Sequence, residues 1–556
     1  MILKRACILL LCLLLLTTPV SYAEEFDFDE AVIYFLLTDR FYNGDETNDD
    51  PNGEGYDQDH PETYHGGDLR GLIEKLDYLD ELGVNTIWIT PIVDNIDHNV
   101  RHGKDYQYGY HGYWAKDFTQ MDEHLGDLLT FKELIDEIHE RDMKLMLDVV
   151  INHAGYGMKE SDEEPLIPNY PTSEERAAFQ GMLRLEPGFG DVTGELAGLP
   201  DFLTEDPEVL DQVIQWQADW IERARTDQGN SIDYFRVDTA KHVALDELKA
   251  LKERLPEVEM IAEYFGGDIF FNGNVLSEGG MDSVLDFSFK ETIKDYLRGN
   301  FESAERALKS RNEALSPKKS AGQFLSSHDE HGFLEMVLGG DEGLFKVAAT
   351  LQLTAKGQPV IYYGEEIAQS GRAAGNMDEG EFSENRYDFD WSRAETSDML
   401  DHYKRLLSVR NQYSDVFTKG ERQAVFSDKE AGLSVFERVL GDKRVLVALN
   451  VTDEEKTLAL QVKETPLNLY GEESLVMGDG ALELHVPAKS EGGTAMLELR
   501  SPLEGVQLSE EIFPETREVE PLREEPSDGV SIPSILLAVV LGFGVGYIIS
   551  KKVKKK

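Results

Sequence analysis

Cysteine is nearly missing from this chain: its 556 residues contain two, Cys7 and Cys12, both close to the N-terminus. Everything after them lacks a thiol, which excludes disulfide staples and cysteine-held metal. Basic side chains are also scarce, 54 Lys and Arg against 107 Asp and Glu, for a formal charge of −53. A polyanion gains little from meeting another polyanion, so nucleic acid is not an expected partner. Long apolar runs occur only at the two ends, which excludes a polytopic transporter. Aromatic residues are not lacking. At 10% of the chain, within 41% hydrophobic residues, they exclude disorder as the main state. A chain of this length predicts a large core or several domains.

Each end reads as a targeting segment. Lys4 and Arg5 precede an apolar stretch at 6–16, and Ser21-Tyr22-Ala23 closes the segment with small residues at the positions a signal peptidase reads. This predicts a secretory leader over 1–23. At the other end, 532–549 is uncharged and mostly apolar, and Lys551, Lys552, Lys554, Lys555 and Lys556 follow it. As a helix it would cover roughly 27 Å, one bilayer crossing, with the lysines on the cytoplasmic side. The expectation is an exported monomer on the extracellular face of the cytoplasmic membrane, held there by a single C-terminal helix.

Between the ends, short β-branched runs alternate with amphipathic stretches. Strands are expected at 32–37, 84–89, 144–150, 231–237, 260–262, 283–287, 323–325 and 360–363. Helical periodicity is expected at 72–82, 130–141, 207–225, 244–254, 289–297, 343–354 and 397–410. Eight strands with intervening helices predict an α/β fold, a closed (β/α)8 TIM barrel over 24–153 and 205–415. The third and fourth strands are too far apart for an ordinary connection, and the residues between them are rich in Gly, Pro and acidic side chains, so 154–204 reads as a small inserted domain. After 415 the pattern becomes short alternating strands, predicting a C-terminal antiparallel β-sandwich to residue 500. An acidic linker at 501–530 and a basic tail at 550–556 complete the expected organisation.

In such a barrel the chemistry gathers where strands end. Four expected strand ends carry polar clusters: Asp148-Val149-Val150-Ile151-Asn152-His153, Phe235-Arg236-Val237-Asp238-Thr239-Ala240-Lys241-His242, Ile261-Ala262-Glu263-Tyr264 and Phe324-Leu325-Ser326-Ser327-His328-Asp329. One strand-end carboxylate alone is more often a helix cap than a catalyst. Four such clusters in one order are a different matter.

With Gly112-Tyr113-Trp114, Leu199-Pro200-Asp201 and the segment 357–366, these motifs resemble the α-amylase family of glycoside hydrolases over roughly 26–500. The resemblance implies retaining hydrolysis of α-glucans. By motif, Asp238 is the nucleophile, Glu263 the acid/base and Asp329 the third carboxylate. Tyr113, His153, Arg236, Lys241, His242 and His328 match substrate-binding positions. Asp148 is read as structural, a paired carboxylate inside the barrel. The same resemblance implies Ca²⁺ between barrel and insert, held by Asn152, Asp201 and the His242 carbonyl. A second Ca²⁺ loop is implied at Asn43, Asp45, Asn48, Asp49, Gly66 and Asp68. Lys241-His242 and Leu199-Pro200-Asp201 look like α-1,4-acting amylases, and cyclodextrin-forming and neopullulanase-like relatives are expected to carry further domains. Ser327 and Phe202 depart from the asparagine and leucine common at those positions, which blurs the product assignment.

Overall fold

The computed structural model describes residues 26–509, apart from 54, 103–104, 161–164, 187, 374–381, 472–474, 476 and 479–480. Eight strands close the expected barrel: β1 Ile33–Leu36, β2 Thr86–Ile89, β3 Lys144–Val149, β4 Tyr234–Val237, β5 Glu259–Ala262, β6 Ser283–Asp286, β7 Ser320–Gln323 and β8 Gln358–Tyr362. Each pairs in parallel with its neighbour in sequence, and β8 closes on β1. All eight are buried along their length apart from first residues such as Lys144 and Glu259, as a sheet covered by helices outside and side chains inside requires.

The surrounding helices follow from capped amphipathic patterns. Leu128–Glu140 starts at Asp127, whose side chain accepts from Thr130 N, and buries Phe131, Leu134, Ile135 and Ile138. Pro207–Arg223 has Asp206 as cap and proline in its first turn, and it buries Val209, Val213, Ile214, Trp220 and Ile221. The insert docks partly through aromatic rings. Phe202 lies 1% exposed among Phe118, Phe179 and Trp216, so the departure from leucine fills a ring cluster between insert and barrel.

The C-terminal domain is two packed antiparallel sheets. The five-stranded sheet is buried on both faces: Leu433, Val435, Leu446 and Ala448 point to the second sheet, while Phe436, Val445, Val447 and Leu449 join the barrel core. Gly505–Leu508 pairs with Lys456–Gln461 in the second sheet, so the domain runs past residue 500, where an acidic linker was expected.

The membrane-bound location is corrected. Among the described residues no helix is long and apolar enough to cross a membrane. The longest, Pro207–Arg223, would extend roughly 26 Å but is amphipathic, with one face in the core and acidic and basic residues on the other. The expected leader at 1–23, span at 532–549 and tail at 550–556 lie outside the described residues.

Candidate active site

Strand register builds the centre of the site. β3 and β4 pair with Asp148 opposite Arg236, and β4 and β5 pair with Val237 opposite Ala262. Asp238 and Glu263 each stand one residue past a strand, still tied to it by Asp238 N to the Val149 carbonyl (2.9 Å) and Glu263 N to the Val237 carbonyl (3.0 Å). Arg236, 1% exposed, then reaches three carboxylates. Its Nη1 lies 3.0 Å from Asp148 Oδ1 and 2.5 Å from Asp238 Oδ1, and its Nη2 lies 2.7 Å from Glu263 Oε1. The left-handed backbone at Thr239 (φ 48°) turns its N–H onto Glu263 Oε2 at 2.9 Å. Strain of this kind persists only where surrounding structure enforces it.

Burial and charge separate the roles of these groups. Burial, reinforced by the Asp238 and Asp329 carboxylates, pushes the Glu263 carboxyl well above its usual range despite Arg236. Burial also pushes Asp148 up to about 7, against the pull of Arg236 and the Tyr113 hydroxyl. Tyr113 Oη and Trp88 Nε1 donate to Asp148 Oδ2 at 2.7 and 3.2 Å. Asp148 thus braces Arg236 and Tyr113 from beneath, the structural part its position suggested.

On the opposite wall, burial would raise Asp329, but His328 and Arg386 overcome it and hold this carboxyl well below its usual value. His328 Nε2 donates to Asp329 Oδ2 at 2.9 Å, and Arg386 Nη2 donates to Oδ1 at 2.9 Å. Tyr113 stacks on His328 with ring centres 5.5 Å apart. The Tyr113 position depends on Gly112, whose φ is +91° and where a Cβ would meet the Pro91 carbonyl at 2.6 Å. Buried His328 Nδ1 and Thr239 Oγ1 have no protein partner, so two polar atoms in the site remain for a ligand.

These groups line one cleft, walled by Asp238, Glu263, Asp329, Tyr113, His153, His328, Lys241 and His242. Arg236 lies behind that wall. His153 Nε2 donates to the Tyr113 carbonyl at 3.2 Å, and burial lowers its pKa. Sequence reasoning missed Arg386 and Phe265, which also line the cleft. Arg386 comes from an unpatterned loop beyond β8. Phe265 follows Glu263-Tyr264, and a strand-end aromatic beside the acid pair was the available signal.

The two implied calcium sites differ. Asn152 Nδ2 donates to Asp201 Oδ1 (3.0 Å) and to the His242 carbonyl (3.2 Å), so the three expected ligands do converge. Their needs are already met. Arg184 Nε sits 2.9 Å from Asp201 Oδ2, and Arg184 also binds Glu205 through both terminal nitrogens. A guanidinium supplies the positive charge there, and this cluster does not fit a calcium ion, which wants six to eight oxygens. In the other loop Asn43 Nδ2 donates to Asp49 Oδ1 (2.7 Å), and the Asn48 amide bonds Asp68. That leaves Asn43 Oδ1 and Asn48 Oδ1 buried without partners. Asp68 also accepts from the backbone N–H of Gly44, Asp45 and Gly71. Gly66 packs against Asn43 and Asp49, whereas Asp45 is exposed and binds Thr47. Two orphaned amide oxygens beside buried carboxylates fit a hard cation.

The family model for the alpha-amylase catalytic domain matches residues 35–173 and 192–439. Neopullulanase 2 of Thermoactinomyces vulgaris is 30% identical over 471 residues, 81% of this chain and 73% of its own. The α-amylase of Geobacillus thermoleovorans, solved with acarbose, is 25% identical, with TM-score 0.69 over 86% of this chain and 100% of its own. CldA, a cyclomaltodextrin glucanotransferase with a three-domain distribution, is 25% identical, with TM-score 0.68 over 85% and 99%. Domain number therefore does not separate amylases from cyclodextrin-forming enzymes, contrary to the sequence-based expectation. Barrel, strand-end carboxylates and family match agree, and the chain belongs to the α-amylase family of glycoside hydrolases.

Proposed function

We propose that this enzyme cuts internal α-1,4-glucosidic bonds of starch-like glucans with retention of configuration. The observation that carries the reading is the bridging of Asp238 and Glu263 by one buried guanidinium. Retention needs two carboxyl groups about 5–5.5 Å apart, one ionised and one protonated. Arg236 stabilises the Asp238 carboxylate, which attacks the anomeric carbon. Glu263, its pKa raised by burial, gives its proton to the departing glycosidic oxygen and then takes one from the attacking water. Asp329, kept ionised by His328 and Arg386, accepts hydrogen bonds from ring hydroxyls that strengthen as the sugar distorts. Tyr113 offers a flat face to the sugar, and His153, His328, Lys241 and His242 line its seat.

Calcium belongs in the Asn43 loop on this reading. The ion would be held by the amide oxygens of Asn43 and Asn48 and the carboxylates of Asp49 and Asp68, and would contribute fold stability rather than chemistry.

One observation favours a second reading, glycosyl transfer. Phe265, 40% exposed in the cleft wall beside Glu263, offers an apolar face on which an acceptor sugar could displace water. Maltotriose separates the two: glucose and maltose alone mean hydrolysis, whereas longer oligosaccharides mean transfer. For the chemistry itself, Asp238→Asn and Glu263→Gln should each lower kcat on soluble starch by about 10³-fold or more. Circular dichroism should stay unchanged. Wild-type turnover in either variant would overturn the assignment.

A further inference from the structure

Outside the cleft, the described residues expose eleven large apolar side chains, among which Phe270 and Phe271 are the one adjacent pair of aromatic rings. Phe270 is 64% and Phe271 68% exposed, in the loop between β5 and β6. Their exposure is not a product of slack. Asp268 Oδ1 accepts from both Phe270 N and Phe271 N at 2.7 Å, and Asp268 N returns to the Phe271 carbonyl at 2.9 Å. Asn272 Nδ2 donates to the carbonyls of Asp268 and Ile269, both at 3.1 Å, and Ile269 is buried as the anchor. The loop is also tied to the barrel by Phe287 N donating to the Gly267 carbonyl at 2.9 Å. A tightly hydrogen-bonded loop thus presents two phenyl rings to water, although burying either would stabilise the fold by about 1.5–3 kcal/mol.

Phe271 is linked to the cleft wall through Tyr264. Tyr264 stands edge-on to Phe271 with ring centres 6.2 Å apart, and its ring lies 5.8 Å from the Lys241 ammonium. Lys241 and Phe265 are both part of the cleft wall. We propose that Phe270 and Phe271 form a stacking platform for an α-glucan chain, gripping glucose units that extend beyond the cleft on the Glu263 side. Axial and equatorial C–H bonds give each glucose an apolar face that a phenyl ring covers, while its hydroxyl edge stays in water. An exposed ring pair suits that ligand. With a formal charge of −53, the protein is poorly suited to an anionic lipid surface.

This rests on the α-glucan reading of the cleft, and its test keeps the two apart. The double variant Phe270→Ala/Phe271→Ala should leave kcat/KM on maltotriose within twofold of wild type. KM on amylose should rise by on the order of tenfold, the combined worth of two ring contacts, with kcat unchanged. Phe270→Tyr/Phe271→Tyr should restore the amylose KM. Retardation of the intact protein in amylose-containing gels reads the platform without turnover, so a failure of the hydrolytic reading would still leave the ring pair measurable. An unchanged amylose KM with unchanged retardation overturns the proposal. So does equal loss on both substrates, or a change in sedimentation coefficient showing that the rings bind a second copy.

Discussion

Replacing Arg184 by alanine tests whether an arginine side chain, rather than a metal ion, neutralises Asp201 of the insert where it meets Asn152 of the barrel. The Asp201 side chain is 3% exposed, and Arg184 Nε at 2.9 Å is its cationic partner. The guanidinium also grips Glu205, but that carboxylate is 56% exposed, so water replaces the contact at a cost below about 1 kcal/mol. Asp201 has no such recourse. It would keep the Asn152 amide at 3.0 Å and lose its compensating charge. Stripping a buried carboxylate of its partner costs about 3–5 kcal/mol. Backbone pairing of the insert survives, through Arg184 N to the Asp201 carbonyl (2.8 Å) and Leu203 N to the Met182 carbonyl (2.8 Å). The loss should therefore fall at the lower end, about 3 kcal/mol.

Urea unfolding followed by tryptophan fluorescence, with and without millimolar calcium, measures this. Arg184→Ala should unfold at clearly lower urea, and calcium should recover part of the loss, because Asp201, Asn152 and the His242 carbonyl then have oxygens to spare. Adding Asp201→Asn should also recover stability, since no charge remains to strand. The reasoning is refuted if Arg184→Ala unfolds at the wild-type midpoint. It is equally refuted if a chain with the Asn43 loop disabled still loses stability on chelation, for then an ion sits at Asp201.

Asn43→Ala/Asn48→Ala should abolish the calcium-dependent rise in melting temperature, and titration calorimetry should show no binding where wild type binds one ion. Burial pushes the Glu366 carboxyl up to about 7, although the Tyr34 and Tyr78 hydroxyls donate to it at 2.7 and 2.8 Å. An acid whose folded value exceeds its unfolded value of about 4.3 contributes stability that is fully present at low pH and fades as pH rises through the folded value. Glu366→Gln should therefore lose less stability than wild type between pH 5 and pH 8.5 in denaturant titrations, and parallel losses would contradict this. Arg386→Lys keeps the charge but gives up the forked contact to the His328 carbonyl and Asp329, so kcat/KM on maltooligosaccharides should fall about 10- to 100-fold with unchanged circular dichroism.

The barrel was legible because strand and helix periods alternate over its whole length, and the places where reading slipped have physical causes. β7 was expected at 323–325 but runs Ser320–Gln323, starting on small residues that do not look like a buried strand. They are small because the barrel interior is full: a Cβ on Gly322 would meet Ile261 at 2.7 Å and Leu285 and Val360 at 3.2 Å. The helix Phe301–Ala314 was missed because its buried apolar stripe is thin, Phe301, Ala304 and Leu308, among charged residues. Arg184 and Arg386 were illegible for another reason. Each reaches its carboxylate from a segment without periodicity, and no local pattern marks which arginine a fold will deliver to a distant acid.

The carboxylate cluster was legible for the converse reason. Asp238 follows Arg236 by two residues, so both project to the same side of β4, and the parallel registers with β3 and β5 leave little freedom to Asp148 and Glu263. A slip of one residue in either pairing would turn the partner's side chain to the other face. The stagger also sets the electrostatics. Three buried carboxyl groups converge on one guanidinium, and a single positive charge cannot keep all of them ionised at that depth. Glu263, with the Asp238 and Asp329 charges adding to its burial, is driven toward the protonated form. Asp329 escapes by having a cationic partner of its own, Arg386, and a hydrogen bond from His328, whose own pKa burial lowers. Opposite tendencies of Glu263 and Asp329 in one cleft, the kind of separation that acid–base chemistry uses, thus follow from which acids share Arg236 and which has Arg386 to itself.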